Sequence, residues 1–508
     1  MSAPRRPKLA PGQRADVGLI LEGTYPYVSG GVSSWVHQII RGLPELTFSL
    51  LFIGGDSSQY EKMRYELPPN VVHLEEHYLV EAARRQQPKA IAGDARFLRQ
   101  SEQLHDELRA RAPLDRGALG AIIERLESDP RATQDDFLHS ETAWGAIRER
   151  YLAYCPDLSF LEYFWTVRST HAPLFMLARA AKVFPPARAY HSISTGFAGF
   201  LGMLLAERTG RPLVLTEHGI YSKERKIELL QADWLKDDRV SGGAAPDEVS
   251  YIRSAWIRFF EGLGRLTYHA ASPIIALYDG NRLRQIADGA AEERTRVIPN
   301  GIDLARFAPL RDRRDAKVPR VLGLLGRVVP IKDIKTFIRT MRVVCSAMPD
   351  AEGWLIGPED EDKSYARECH DLVANLGLEG KVKFLGFQKP EDVLPKLGLM
   401  MLTSISEAQP LVLLEGFASG VPCVSSDVGC CRDLVHGAAP EDRAVGVAGR
   451  VVSIANPDAT ARAAIELLSD EAAWRAAQQA GIERVERFYT LAQMIDNYRG
   501  VYGEAVSR

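Results

Sequence analysis

The sequence lacks the short motifs that identify several common classes of nucleotide-binding enzyme. It contains no Gly-x-Gly-x-x-Gly fingerprint, which argues against a dinucleotide oxidoreductase, and no Gly-x-x-x-x-Gly-Lys-Ser/Thr loop, which argues against a P-loop NTPase. The six cysteines include no Cys-x-x-Cys pair, so their spacing fits no zinc framework. Scattered cysteines in a chain without a secretion signal are typical of a reducing cytosol.

Strong charge of one sign and long apolar runs are also missing. The net charge of −3 provides no large basic field, so we expect no nucleic-acid partner. No apolar run approaches the ~18 residues of a membrane span, and the basic N-terminal stretch around Arg5 and Arg6 has no signal-peptide core. A chain of 508 residues is too long to fold around one hydrophobic core, which indicates two domains.

The first part of the chain alternates strand and helix patterns around one interruption. An apolar strand at Val17–Leu21 leads through a glycine-bearing loop to an amphipathic helix, which is typical of a parallel sheet. Residues from about 80 to 155 are instead rich in Ala, Arg, Glu and Gln, and we interpret them as a helical insertion. Both a cap over an acceptor site and a docking surface remain open as its role.

A second strand and helix series follows the charged stretch Arg311–Arg320, which marks a domain boundary. We therefore predict a first domain over residues 1–308, which ends soon after a strand at Val297–Asp303, and a second over 309–481. Two doubly wound, Rossmann-like α/β domains place a ligand in the cleft between them, at the carboxyl ends of the strands.

The segment Ser406–Gly420 carries the strongest chemical signal. Glu407 follows a short strand, Pro410 suits the first turn of a helix, and Glu415 lies about one turn inside that helix. The backbone N–H groups between the two glutamates, around Gln409, Pro410 and Leu411, suit an anion. The alternative is two solvated glutamates that flank an ordinary helix.

Cations for such an anion are available at the first strand of the second domain. Arg327 leaves the end of that strand and Lys332 sits near the start of the next helix, so both can reach one diphosphate. The alternative is a pair of solvent-facing charges. With no metal-ligand constellation evident, we expect the cations to come from the protein, with no metal and no cofactor.

Five further residues follow predicted strands of the first domain. Gly30 and Gly31 open a helix and let a backbone approach a phosphate, although a plain tight turn explains them equally well. His191 and His218 each follow a strand and can bind a sugar hydroxyl or merely cap a neighbouring backbone group. Arg225 can reach a phosphate or a glycan, or remain a surface charge.

Four motifs together resemble the retaining glycosyltransferases of family 4, over about residues 16–500 apart from the helical insertion. They are Gly30-Gly31, Val297–Asp303, Gly326-Arg327 with Lys332, and Glu407-x7-Glu415. That resemblance implies the GT-B fold, with a central cleft and a final helix, about residues 482–508, that packs back on the first domain. The segment Leu21–Val36 and the Thr-Glu-His-Gly-Ile-Tyr stretch are similar to the PelF family, the cytoplasmic glycosyltransferases of bacterial Pel exopolysaccharide (biofilm) systems.

The resemblance also implies roles for matching positions. Arg327 and Lys332 would bind the donor diphosphate, Glu415 the ribose and Glu407 the donor sugar. His218 would lie near that sugar, and Gly31 near the phosphates.

The implied substrates are a UDP-sugar, either UDP-glucose or a UDP-N-acetylhexosamine, and a glycan acceptor. The implied partners are the inner-membrane proteins PelE and PelG, which would recruit a cytoplasmic enzyme. One departure concerns the donor sugar: many family members have Gly-Phe-Gly after the first glutamate, where this chain has Ala408-Gln409-Pro410. Two alternatives remain, a GT-B sugar-nucleotide epimerase and a non-catalytic UDP-sugar-binding subunit of a synthase complex.

Overall fold

The structure, a computed structural model, describes residues 6–79, 91–155, 159–232 and 250–507. The chain divides into two compact units, one formed by residues 1–276, 282–297 and 498–508, the other by residues 277–281 and 298–497. In the described residues, no helix is both long enough and apolar enough to span a membrane.

The first unit contains a seven-stranded parallel sheet with the order β3-β2-β1-β4-β5-β6-β7. Its strands are β1 Ala15–Glu22, β2 Phe48–Gly54, β3 Val71–Tyr78, β4 Ala187–Ser192, β5 Leu213–Glu217, β6 Ala271–Ala276 and β7 Thr295–Val297. The order reverses between β1 and β4, so the loops after these two strands diverge there. The prediction of a strand at Val297–Asp303 was wrong. Pairing with β6 ends at Val297, and the following residues leave the sheet.

Helices cover this sheet, and one of them is buried on all sides. They are α1 Gly31–Gly42, α7 Phe197–Thr209, α8 Tyr221–Gln231, α9 Tyr251–Ala270 and α10 Asp279–Ala287. Every residue from Phe197 to Ala206 in α7 is buried. A helix that is apolar all round needs cover on every face. The sheet supplies one side, and α9 and the helical insertion supply the rest.

The helical insertion extends beyond the predicted residue 155, and residues 80–90 lie outside the described part. Its helices are α2 Ala95–Ala110, α3 Arg116–Ser128, α4 Pro130–His139, α5 Glu141–Tyr154 and α6 Phe160–Val183. Each begins at a capping side chain that accepts hydrogen bonds from the first-turn N–H groups. These caps are Asp94, Asp115, Asp129, Ser140 and Ser159.

The second unit has a six-stranded parallel sheet with the order β10-β9-β8-β11-β12-β13. The strands are β8 Val321–Leu325, β9 Glu352–Ile356, β10 Val382–Phe384, β11 Leu399–Leu402, β12 Cys423–Ser426 and β13 Gly449–Val452. The helices are α11 Leu304–Phe307, α12 Ile334–Ala347, α13 Lys363–Asn375, α14 Pro390–Val393, α15 Leu411–Ala418, α16 Cys431–His436, α17 Pro440–Arg443, α18 Pro457–Ser469 and α19 Glu471–Phe488. The last helix, α20 Leu491–Ser507, begins in this unit, and its residues from Tyr498 onward belong to the first unit. Both units thus have the predicted doubly wound α/β architecture.

Candidate functional site

Two of the predicted site residues meet where the strand order of the second unit reverses. Lys332 follows β8 and Glu407 follows β11, and these strands are neighbours at the reversal point. The Lys332 Nζ lies 2.5 Å from the Glu407 Oε1, and the two side chains are only 22% and 15% exposed. Ligands of open α/β sheets bind at this type of position.

The backbone around Lys332 is held by its neighbours. Asp333 has a left-handed conformation, with φ of 45°, and its side chain accepts a hydrogen bond from the Thr336 N–H at the start of α12. Thr403, directly after β11, donates its hydroxyl to the carbonyl oxygens of Lys332 and Asp333, at 2.9 and 3.0 Å. The ends of β8 and β11 are therefore tied together beneath the ion pair.

Arg327 leaves the end of β8 with an exposed side chain. Its Nη1 lies 2.6 and 2.5 Å from the two carboxylate oxygens of Glu361. Glu361 belongs to an acidic run, Glu359–Asp362, that contains an Asp-x-Asp spacing. Asp362 is used as the cap of α13, and among the described residues no cluster of three or more ligands can hold a metal ion.

A tight turn supports the loop that carries Glu407. The Cys430 N–H donates to the Ala408 carbonyl at 2.9 Å. Gly429 has φ of +54°, and a Cβ there would lie 2.2 Å from the Ala408 oxygen. Only glycine fits this turn. Cys430 and Cys431 are buried, and burial raises the pKa of both thiols, which fits a structural role for the adjacent pair.

Gln409, Pro410 and Leu411 form the entrance to α15. The Gln409 Oε1 accepts a hydrogen bond from the Asn300 N–H at 2.7 Å, so this buried side chain orders the segment after β7. Pro410 precedes α15, which begins at Leu411 without a side-chain cap. The first N–H groups of this helix thus remain uncapped by side chains, and they can donate to an anion.

Glu415 lies one turn into α15 and is partly buried. Burial raises its pKa to about 7, while Arg306 opposes the rise and Glu391 adds to it. Among the described residues, no hydrogen bond to its carboxylate is present. A partly buried carboxylate without a donor can accept hydrogen bonds from the hydroxyl groups of a ligand.

In the first unit, Gly30 and Gly31 lie at the start of α1, after β1. Gly30 is exposed, and a Cβ there would meet no atom within 4 Å. Its backbone is extended, so neither packing nor conformation demands glycine here. The first turn of α1 has no side-chain cap, which leaves it open to a ligand.

His218 follows β5 and packs edge-on against Trp35 of α1, with ring centroids 4.7 Å apart. Burial lowers the pKa of His218 to about 4, so the ring is neutral near pH 7. Among the described residues, its Nε2 and the Trp35 Nε1 have no hydrogen-bond partner. These two buried nitrogens can bind a polar ligand.

His191 instead belongs to the core. Its Nδ1 contacts the Tyr502 hydroxyl at 2.7 Å and its Nε2 contacts the Thr216 hydroxyl at 2.9 Å. Burial lowers its pKa to about 3. Both ring nitrogens are engaged, which favours the structural interpretation. Arg225 likewise contacts Tyr221 and Glu228.

Two glutamates at strand ends of the first unit, the partly buried Glu22 and the buried Glu217, were absent from the sequence-based candidates. Glu22, the last residue of β1, accepts hydrogen bonds from the Tyr221 hydroxyl at 2.7 Å and the Ala198 N–H at 3.1 Å. Glu217, the last residue of β5, accepts from four donors: Thr195, Tyr221, Tyr268 and Gln285. The sequence feature that could have identified them is an acidic residue at the end of a buried strand. They fix the loops after both strands.

Two family models match the chain. Residues 15–293 match the model described as a domain of unknown function (DUF3492). Residues 319–470 match the model described as glycosyl transferases group 1. The second match contains Arg327, Lys332, Glu407 and Glu415.

The chain is also similar in sequence to two proteins that are named as glycosyltransferases. The chain is 30% identical over 332 residues to the D-inositol 3-phosphate glycosyltransferase of Salinispora tropica, covering 61% of this chain and 62% of that protein. It is 28% identical over 218 residues to the lipopolysaccharide core biosynthesis mannosyltransferase LpsB of Rhizobium meliloti, covering 41% and 60%. The matches thus span less than two thirds of these relatives.

Among solved structures, Anabaena HepE in complex with UDP-glucose superposes with a TM-score of 0.57 at 16% identity, covering 97% of this chain and 100% of that one. Sucrose-phosphate synthase from Thermosynechococcus elongatus gives a TM-score of 0.58 at 17% identity, covering 97% and 99%. The fold is that of GT-B glycosyltransferases.

Proposed function

The chain belongs to the family of the domain of unknown function DUF3492, and from this premise we propose that it is a retaining glycosyltransferase with a UDP-sugar donor and a glycan acceptor. Its second unit contains a glycosyl transferases group 1 domain. The observation that carries the proposal is the Lys332–Glu407 pair at the reversal point of that unit's sheet. It combines a cation for a diphosphate with a carboxylate for sugar hydroxyls.

The chemistry follows from the charges around this pair. When the bond between the anomeric carbon and the phosphate oxygen breaks, negative charge grows on the UDP. Arg327, Lys332 and the open start of α15 stabilise that charge. The acceptor oxygen bonds to the anomeric carbon on the same face, and its proton passes to the departing phosphate oxygen. Glu407 then orients the sugar and forms no covalent bond with it.

UDP is the proposed nucleotide because Anabaena HepE, which shares the fold, binds UDP and UDP-glucose. Glu415 provides a carboxylate for the ribose hydroxyls. The donor sugar is UDP-glucose or a UDP-N-acetylhexosamine. Similarity of Leu21–Val36 to the PelF family supports a product of the Pel exopolysaccharide type, with a cytoplasmic enzyme recruited to the inner membrane by PelE and PelG.

Calorimetric titration of the purified chain with UDP, UDP-glucose, UDP-N-acetylglucosamine and GDP-mannose tests the donor. We expect saturable binding of the UDP compounds and at least tenfold weaker binding of GDP-mannose. Incubation of the bound donor without acceptor distinguishes transfer from epimerisation, since only an epimerase converts the donor to another sugar nucleotide. Absence of binding to any nucleotide by the folded protein would contradict the proposal.

Glu415→Gln is expected to stabilise the free protein and weaken UDP binding. The folded pKa of about 7 exceeds the ordinary 4.5, so the stability that this group contributes is complete below pH 4.5 and lost as the pH rises through 7. The variant should therefore gain about 1–3 kcal/mol at pH 8 and nothing at pH 4. Thermal unfolding at both pH values measures this, with the exposed Glu466→Gln as the control. Equal melting shifts at both pH values would refute the explanation.

His218→Ala is expected to lower the transfer rate about 100-fold, because a hydrogen bond to the reacting sugar is lost. The dissociation constant of UDP should change less than twofold, since the proposed diphosphate and ribose contacts lie in the other unit. His218→Asn should recover part of the rate. A loss of UDP affinity as large as the loss of rate would place His218 in the nucleotide site instead.

A further inference from the structure

The helical insertion and α9 of the first unit enclose a cavity of about 280 Å³. Its walls are predominantly apolar. They include Phe97, Leu104, Ile122, Ile147, Phe175 and Leu263. Apolar cavities of about half this size stay dry and bind benzene. The space therefore suits an apolar ligand larger than one aromatic ring.

Cationic side chains lie at one end of this cavity. The Arg109 guanidinium lies 3.8 Å from the ring centre of Tyr154, and that of Arg258 lies 5.2 Å from the ring centre of Tyr251. Arg109 and Tyr154 are exposed, so this end reaches solvent. Within the described ranges, neither arginine has a hydrogen bond or an acidic partner. Two guanidinium charges therefore remain available to an anion.

A third arginine at this end is already neutralised. Arg150 pairs with Glu102 and with Asp106, and the latter contact measures 3.0 Å. The cavity wall thus has a net positive end, and its acidic groups are paired with a different arginine.

Two partly buried histidines in the wall face each other. The Nδ1 atoms of His105 and His171 donate to the carbonyl oxygens of Ser101 and Val167 in their own helices. Their Nε2 atoms lie 2.8 Å apart. With both Nδ1 atoms donating, the two Nε2 atoms cannot form a hydrogen bond with each other unless one ring is protonated. The rest of the cavity wall is predominantly apolar and suits hydrocarbon.

Two exposed apolar side chains lie on the helices that form this part of the wall. Leu152 near the end of α5 is 60% exposed, and Leu161 near the start of α6 is 63% exposed. These helix ends touch, since the Tyr151 and Phe160 rings are 5.1 Å apart.

We propose that this cavity binds a single acyl chain whose terminal anionic group, a carboxylate or a phosphate, lies against Arg109 and Arg258. The two guanidinium groups favour a ligand with an anionic end, and the apolar walls favour a ligand with a hydrocarbon chain. None of the residues that line this cavity belongs to the proposed donor site. The helical insertion would therefore bind a second ligand.

Sodium dodecanoate, titrated calorimetrically into the full chain below its micelle concentration, tests this. We expect one saturable site, with dodecyl phosphate bound comparably and dodecyltrimethylammonium bound at least tenfold more weakly. Arg109→Gln with Arg258→Gln should weaken dodecanoate about 100-fold, roughly tenfold for each guanidinium. The exposed Arg148→Gln on α5, outside the cavity lining, is the matched control.

Ala146→Phe fills the cavity and should abolish binding while UDP affinity and circular dichroism stay unchanged. Ala255→Leu serves as a second filling variant if Ala146→Phe does not fold. The proposal is overturned if dodecanoate shows no saturable site, if the cationic amphiphile binds equally well, or if a folded filling variant still binds dodecanoate.

Discussion

Lys332→Ala is expected to raise the dissociation constant of UDP about 100-fold and to lower the transfer rate by up to about 1000-fold. The lysine is the cation that lies within 2.5 Å of Glu407, and it is mostly shielded from solvent. Its removal takes a positive charge from the diphosphate and also leaves the Glu407 carboxylate unpaired. That carboxylate would then repel the incoming phosphates.

The two consequences can be separated with a second substitution. Lys332→Ala combined with Glu407→Gln removes the repulsion, so it should recover about tenfold of the UDP affinity and none of the rate. Lys335→Ala is the matched control, because that partly exposed lysine pairs with Glu368, away from Glu407. Calorimetry with UDP and a radiolabelled-sugar transfer assay measure both effects. If Lys332→Ala binds UDP with wild-type affinity, the diphosphate site lies elsewhere.

The paired architecture was predictable because parallel sheets leave a strong trace in sequence. Buried strands such as Val17–Leu21 and Leu399–Leu402 are nearly continuous apolar runs, since helices cover both faces of the sheet. Short elements were harder to assign. β7 has only three residues, of which two are polar or charged, so its end was misplaced into the Pro299-Asn300-Gly301 segment.

Part of the candidate site could be predicted, because the carboxyl ends of parallel strands lie at the same edge of a sheet. Arg327, Lys332 and Glu407 all follow strands of one sheet, and sequence spacing alone puts them at the same edge. The contact of Lys332 with Glu407 required the strand order, because β8 and β11 are 75 residues apart at these side chains. Spacing gives no information on which strands become neighbours.

Residues that act through tertiary contacts could not be predicted. Glu22 and Glu217 are isolated acids until the fold brings Tyr221 between them. The role of Gln409 as an acceptor for the Asn300 backbone likewise depends on a contact across 109 positions. The unresolved alternatives for His191 and His218 have the same origin, since their neighbours come from α1 and α20.

Arg484→Met is expected to destabilise the second unit by about 3–5 kcal/mol. Arg484 on α19 is fully buried, and its Nε donates to the Asp442 Oδ1 at 2.6 Å. Its two other nitrogens donate to backbone carbonyls, including those of Val435 at 2.9 Å and Gly446 at 2.7 Å. Methionine fills a similar volume but leaves the Asp442 carboxylate and these carbonyls buried without donors.

Besides lowering the melting temperature, Arg484→Met should disturb the loop that carries Glu407. Val435 lies in α16, whose preceding residue Cys430 donates to Ala408 beside Glu407. We therefore expect a fall in melting temperature of about 10 °C, together with weaker UDP binding at temperatures where the protein remains folded. Arg487→Met on the same helix removes an exposed pair with Glu483 and should cost less than about 1 kcal/mol. Similar melting temperatures for the two variants would mean that the buried arginine does not hold this part of the fold.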